Sequence, residues 1–173
     1  FASFTASLIP SEYCVGETRL ILYAPRSSSS VIARASSEAD SNDIWVLPNK
    51  NILFTAGKEV LEVSRKNDTI FHYTSESNIF ACQRLKNGNT FIGECDNGRL
   101  LEVSPDGSIV KDVSILPFGV KTGGHAFMRN ARCLDNGHYL VAHYGGKSVV
   151  EYDENGKAVW NIPVPGGAHS VIR

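Results

Sequence analysis

One stretch limits what this chain can fold into more than any other: residues 85–110, LKNGNTFIGECDNGRLLEVSPDGSIV. A run reaching Leu85 is followed by the turn Lys86-Asn87-Gly88-Asn89 and a β-rich run from Thr90 to Glu94. Another run, Leu100 to Val103, leads through Ser104-Pro105-Asp106-Gly107 to Ile109-Val110. Asn-Gly and Asp-Gly between β-rich runs mark hairpins, because these residues tolerate the positive φ that tight turns demand. The stretch therefore predicts four antiparallel strands joined as a meander. No stretch of helical period stands out elsewhere.

The pattern recurs. Leu47-Pro48-Asn49-Lys50-Asn51, Leu85-Lys86-Asn87-Gly88-Asn89 and Leu134-Asp135-Asn136-Gly137-His138 align as turns, followed by Ile52-Leu53-Phe54, Thr90-Phe91-Ile92 and Tyr139-Leu140-Val141. The second halves align as well, in Val60-Leu61-Glu62-Val63, Leu100-Leu101-Glu102-Val103 and Val149-Val150-Glu151-Tyr152. From Glu62 to Glu102 is 40 residues and from Glu102 to Glu151 is 49. Extra sequence from Ile115 to His125, predicted as a loop, accounts for the longer interval. A period of about 40 with four strands per unit predicts an all-β fold, a β-propeller of four-stranded antiparallel blades, since one such sheet cannot bury both faces alone.

A single propeller domain, or a piece of one, is expected over residues 1–173. Its blades are an incomplete one at about 1–40, then 41–77, 78–125 and 126–167, with the start of another at 168–173. Residues 1–16 carry no clean turn signature. Arg19 to Pro25 matches Arg99 to Pro105 at an offset of 80, and Val31-Ile32-Ala33 follows an enlarged loop as the returning strand. Ala168 to Arg173 reads as a first strand that stops before its turn. The expectation is a piece of a propeller of about six to eight blades; the alternative is closure onto the first blade as a four-bladed ring.

Seventeen basic against eighteen acidic side chains give a net charge of −1 without a basic run, which argues against a nucleic-acid partner. No apolar run approaches the roughly 18 residues that span a bilayer, and no basic-then-apolar leader follows Phe1. Cys14, Cys82, Cys95 and Cys133 lack metal-ligand spacing, so buried free thiols are expected and no metal site. The hairpin register at Asn87-Gly88 is expected to set Cys82 opposite Gly93, not Cys95.

Tyr152-Asp153-Glu154-Asn155-Gly156-Lys157-Ala158-Val159-Trp160 resembles the tryptophan-docking motif of quinoprotein-like propellers, in which D-x-x-G-K-x-x-W ends a blade and its Trp packs on the next one. The repeated L-x-N-G-N and L-x-E-V-x-x-D-G are similar to bacterial repeats of that superfamily, including pyrroloquinoline-quinone (PQQ)-binding-like and arylsulfotransferase-like propellers. The resemblance covers about residues 43–173 and implies a propeller in the periplasm or outside the cell. Phe71 and Lys111 stand where blades two and three should have the docking Trp. No catalytic constellation transfers residue by residue, so no cofactor is expected beyond PQQ by resemblance alone.

Blade geometry sorts the remaining residues. In a four-stranded meander the first and third turns share one face, which takes Asn87-Gly88, Asp106-Gly107, Asn136-Gly137 and Asn155-Gly156 as punctuation. The other face collects positions that vary between repeats: Ala56, Glu94 and His143 nine residues after each turn leucine, with Asp43, Arg129 and His169 near first-strand starts and His125 closing the insertion. Repeats that agree on packing but differ on one face point to binding there. The expected function is a binding or scaffold propeller recognising a small molecule, a glycan or a protein at the channel mouth through Asp43, Glu94, His125, Arg129, His143 and His169. The alternative is a hydrolase, lyase or transferase in which His143, His125 or His169 acts as base or nucleophile and Arg129 or Arg132 stabilises an anion. Glycine-rich phosphate loops and a nucleophile elbow are missing.

Overall fold

The computed structural model of the protein describes residues 40–172, so the readings placed on residues 1–39 and on Cys14 lie outside the described residues. Twelve strands form three antiparallel meanders. The first contains β1 (Ile44–Val46), β2 (Ile52–Ala56), β3 (Glu59–Val63) and β4 (Thr69–Thr74). The second contains β5 (Ile79–Arg84), β6 (Thr90–Glu94), β7 (Arg99–Val103) and β8 (Ile109–Ser114). The third contains β9 (Asn130–Cys133), β10 (Tyr139–His143), β11 (Ser148–Tyr152) and β12 (Ala158–Pro163).

Six hairpins share one five-residue turn. In the second sheet Gly88 N–H donates to the Leu85 carbonyl and Leu85 N–H to the Asn89 carbonyl, and the same pair of bonds closes the turns at Leu47, Ser64, Ser104, Leu134 and Asp153. The fourth turn residue must take positive φ. Gly88, Gly107, Gly137 and Gly156 do so between 81° and 89°, while Lys50 and Asn67 accept it at 69° and 67°. That left-handed residue adds one position to the loop, so Cys82 pairs with Ile92 and Ala81 with Gly93. The expected Cys82–Gly93 pairing is thus one residue out, because it treated the turn as symmetric.

The repeated glutamate of β3, β7 and β11 has a structural cause. Asn49 and Asn51 side-chain amides donate to Glu62 Oε1 at 3.3 and 2.6 Å, and Asn87 and Asn89 to Glu102 Oε1 at 2.8 and 2.6 Å. His138 Nδ1 meets Glu151 Oε1 at 2.7 Å. Each carboxylate therefore clamps the first turn of its own sheet.

Strands inside the stack are apolar on both faces because both are covered. Between the first and second sheets lie Leu53, Val60, Phe71, Ile79, Ile92 and Leu101. Phe91, Leu100, Met128, Tyr139, Val141 and Tyr152 fill the space between the second and third. A bulge in each outer hairpin sets Phe71, Lys111 and Trp160 opposite the clamp glutamates, one equivalent position. Phe71 is 4% exposed against the second sheet, and Lys111 Nζ lies 5.2 Å from the Tyr139 ring of the third. Trp160, expected to pack on a following blade, is 50% exposed; β4 and β8 are outermost strands like β12, but each has a neighbouring sheet against it, and among the described residues no sheet packs on the far side of the third.

Residues 168–172, expected to open another repeat, form no strand. Val171 N–H donates to the Asn130 side chain at 3.3 Å rather than to a strand backbone. Cys82 and Cys95 are buried free thiols, whereas Cys133 is only half-buried, and Cys95 sits in the turn after β6. Asp43 accepts the Cys82 N–H at 3.0 Å and both Nη atoms of Arg132 at 2.7 and 3.1 Å, so one carboxylate joins all three sheets at their inner strands.

Candidate functional site

Opposite the five-residue turns lie the β2–β3, β6–β7 and β10–β11 connections together with the crossovers between sheets. The long crossover after β8 folds back over this end. Asp96 holds it: Gly123 N–H and the Thr122 hydroxyl both donate to the Asp96 carbonyl, at 2.9 and 2.8 Å, while Asn78 donates to its carboxylate at 3.2 Å. Glycines let the loop settle, since a Cβ at Gly123 would come within 2.2 Å of the Phe127 ring.

Arg129 follows this loop, just before β9. Its guanidinium carbon lies 4.9 Å from the Phe80 ring centre and 5.2 Å from that of Tyr144. His125 packs edge-on to Phe80 with centroids 5.9 Å apart, and His169 edge-on to Tyr144 at 4.8 Å. Phe80 reaches this row because it is the extra residue of a bulge in β5, between the pairs Ile79–Glu94 and Ala81–Gly93. Tyr144 is held by close backbone: a Cβ at Gly167 would fall 2.3 Å from its ring. Contacts with aromatic faces orient a guanidinium without consuming its donors. Arg129 Nε is buried without an acceptor among the described residues.

Of the six residues picked from the sequence, the structure brings three into this row: Arg129, half-buried, and His125 and His169, both exposed. The other three are spent internally. Asp43 is bonded to Arg132 and Cys82 as described. Glu94 is 1% exposed and accepts from the Ser75 hydroxyl at 2.6 Å, from Arg99 at 3.0 Å and from Asn97 at 3.4 Å. His143 is 5% exposed, with Nδ1 3.0 Å from the Phe127 carbonyl and Nε2 2.8 Å from the Tyr152 hydroxyl. A carbonyl only accepts, so Nδ1 carries the proton and Nε2 accepts from Tyr152. Burial pulls the His143 pKa below its ordinary value and pushes Tyr152 up to about 12. Glu94 and His143, expected to face one channel, sit in separate closed networks.

Phe80 and Tyr144 were missed by the sequence reading. Phe80 stands five residues before its turn leucine, the register position of Arg129, so the alignment of repeats held the signal; nothing comparable marked Tyr144. Among the described residues no three His, Cys, Asp or Glu side chains converge as metal ligands would, and no helix is long and apolar enough to cross a membrane.

Solved structures supply the architecture into which these sheets fit. A protein of unknown function from Bacteroides caccae superposes with a TM-score of 0.54 at 19% identity, over 73% of this chain and 47% of its own. Streptogramin B lyase gives 0.56 at 16%, over 75% and 42%, and the Neurospora crassa Pan2 WD40 domain 0.53 at 14%, over 74% and 37%. The fold is a β-propeller. Its three described sheets are blades, and the chain spans less than half the length of these structures. No family model and no curated protein matches the sequence.

Proposed function

We propose that this propeller is a binding module that takes a small molecule, a glycan or a protein at the end bearing Arg129, with the guanidinium as anchor. The observation that carries this reading is a half-buried cation set against two rings with its Nε–H unclaimed by the described residues. Buried donors are normally satisfied, so an oriented and unsatisfied one marks a place prepared for a ligand. Binding is favoured over catalysis because His143 commits both ring nitrogens internally, while His125 and His169 are exposed at the ends of the row. His125 Nδ1 lies 4.0 Å from Asp96 Oδ1, beyond the reach of an orienting hydrogen bond. The D-x-x-G-K-x-x-W stretch supports a place among quinoprotein-like propellers, and no step of the binding argument calls on their cofactor.

The test is an amide NMR titration of the protein and its Arg129→Ala variant with a panel of amino acids, monosaccharides and small organic acids. Perturbations should gather around residues 123–130, 144 and 168–170 and vanish in the variant. Hits that avoid these residues, or that persist undiminished without Arg129, would overturn the assignment.

A further inference from the structure

We infer that the Arg129 row takes a monoanionic carboxylate carried on an aromatic body. This rests on the binding reading above and adds the chemistry of the ligand. A guanidinium edge offers parallel N–H donors whose spacing matches the two oxygens of a carboxylate, and such pairs are stronger than neutral hydrogen bonds. Phe80 and Tyr144 fix the plane of that edge before any ligand arrives, so little ordering is left for binding to cost.

Charge selects one negative unit. Arg129 is the row's permanently charged member, and the row ends beside a carboxylate, since Asp96 Oδ1 lies 4.0 Å from His125 Nδ1 and is itself buried without a hydrogen-bond partner. A dianion would keep one charge uncompensated near Asp96, whereas a monoanion is neutralised by Arg129 alone. The body of the ligand is selected by rings. His125 and His169 extend the Phe80 and Tyr144 contacts outward into solvent, and exposed imidazoles on either side of the anion site are stacking surfaces for an aromatic group.

Three probes decide the point: benzoate, its neutral isostere benzamide, and inorganic phosphate, each titrated by NMR into the protein and into Arg129→Gln. Benzoate should shift the signals of His125, Arg129, Tyr144 and His169 and bind about tenfold or more tighter than benzamide, the difference expected for a charge-assisted pair. The glutamine variant should bring benzoate down to the benzamide level. Benzamide binding as well as benzoate, or phosphate binding tighter, would sink the carboxylate inference while leaving the binding reading standing. If neither these probes nor the wider panel touch the row, both fail. The comparison of probes on the unaltered protein holds even if the variant does not fold.

Discussion

Removing the Asp43 carboxylate should be among the most damaging single changes to this propeller. Asp43 and Arg132 are bonded at 2.7 and 3.1 Å, and their side chains are only 7% and 11% exposed. In Asp43→Ala the guanidinium keeps the Ala131 carbonyl at 2.8 Å and the Trp45 ring at 5.0 Å, but its countercharge is gone and its Nε already lacks an acceptor. Stranding one partner of a buried pair costs about 3 to 5 kcal/mol. The Cys82 N–H also loses its acceptor, for about 1 to 3 kcal/mol more. Against a usual total of about 5 to 15 kcal/mol, much of the stability goes. Replacing both partners, as Asp43→Leu with Arg132→Met, removes the stranded charge but not the orphaned amide, so the double variant should recover to within about 1 to 3 kcal/mol of the parent. Urea titrations followed by far-ultraviolet circular dichroism, arranged as a double-mutant cycle, measure this directly. Lys86→Ala is the control, because Lys86 and Asp135 are 86% and 75% exposed and such pairs are worth under about 1 kcal/mol. A loss below about 1 kcal/mol in Asp43→Ala, with no coupling to Arg132 in the cycle, would refute the idea that this ion pair fixes the blades relative to one another.

Three further outcomes follow from particular residues. At the equivalent docking position, Phe71→Ala should cost about 3 to 5 kcal/mol and Trp160→Ala much less, since only Phe71 is buried; equal shifts in denaturation midpoint would contradict this. Gly107→Ala should cost about 1 to 2 kcal/mol for left-handed backbone alone. Gly156→Ala should cost clearly more, because its Cβ would meet the Ser114 carbonyl oxygen of the neighbouring blade at 2.5 Å; similar melting temperatures for the two would be inconsistent with that contact. His143 is held neutral by burial, with its folded pKa below the ordinary 6.5. The unfolded chain therefore binds the extra proton first, so this contribution to stability is complete above about pH 6.5 and lost as pH falls through the folded value. Stability curves of the parent and His143→Gln should converge on acidification, and parallel curves between pH 7 and 5 would argue against it.

The three described blades were legible in the residues alone. Turn residues that accept positive φ, at Gly88, Gly107, Gly137 and Gly156, together with apolar runs of strand length, are local signals, and local chemistry set the hairpin order of the three described sheets, though not the absence of a strand at residues 168–172. The Glu62, Glu102 and Glu151 repeat was equally visible, although its cause, the clamp on each first turn, appeared only with the side chains in place. Placement between blades was a matter for tertiary structure alone. Glu94 and His143 occupied the right register to face a ligand, yet Ser75 and Arg99 enclose one while Phe127 and Tyr152 enclose the other, and none of these partners follows from strand parity. The Arg129 row likewise depends on a bulge at Phe80, a ring held by Gly167 and a crossover pinned by Asp96, residues up to 87 positions apart from Phe80 to Gly167. A periodic pattern specifies which face of a strand is buried; which polar groups meet on that face is decided by packing between blades, where sequence distance carries no information.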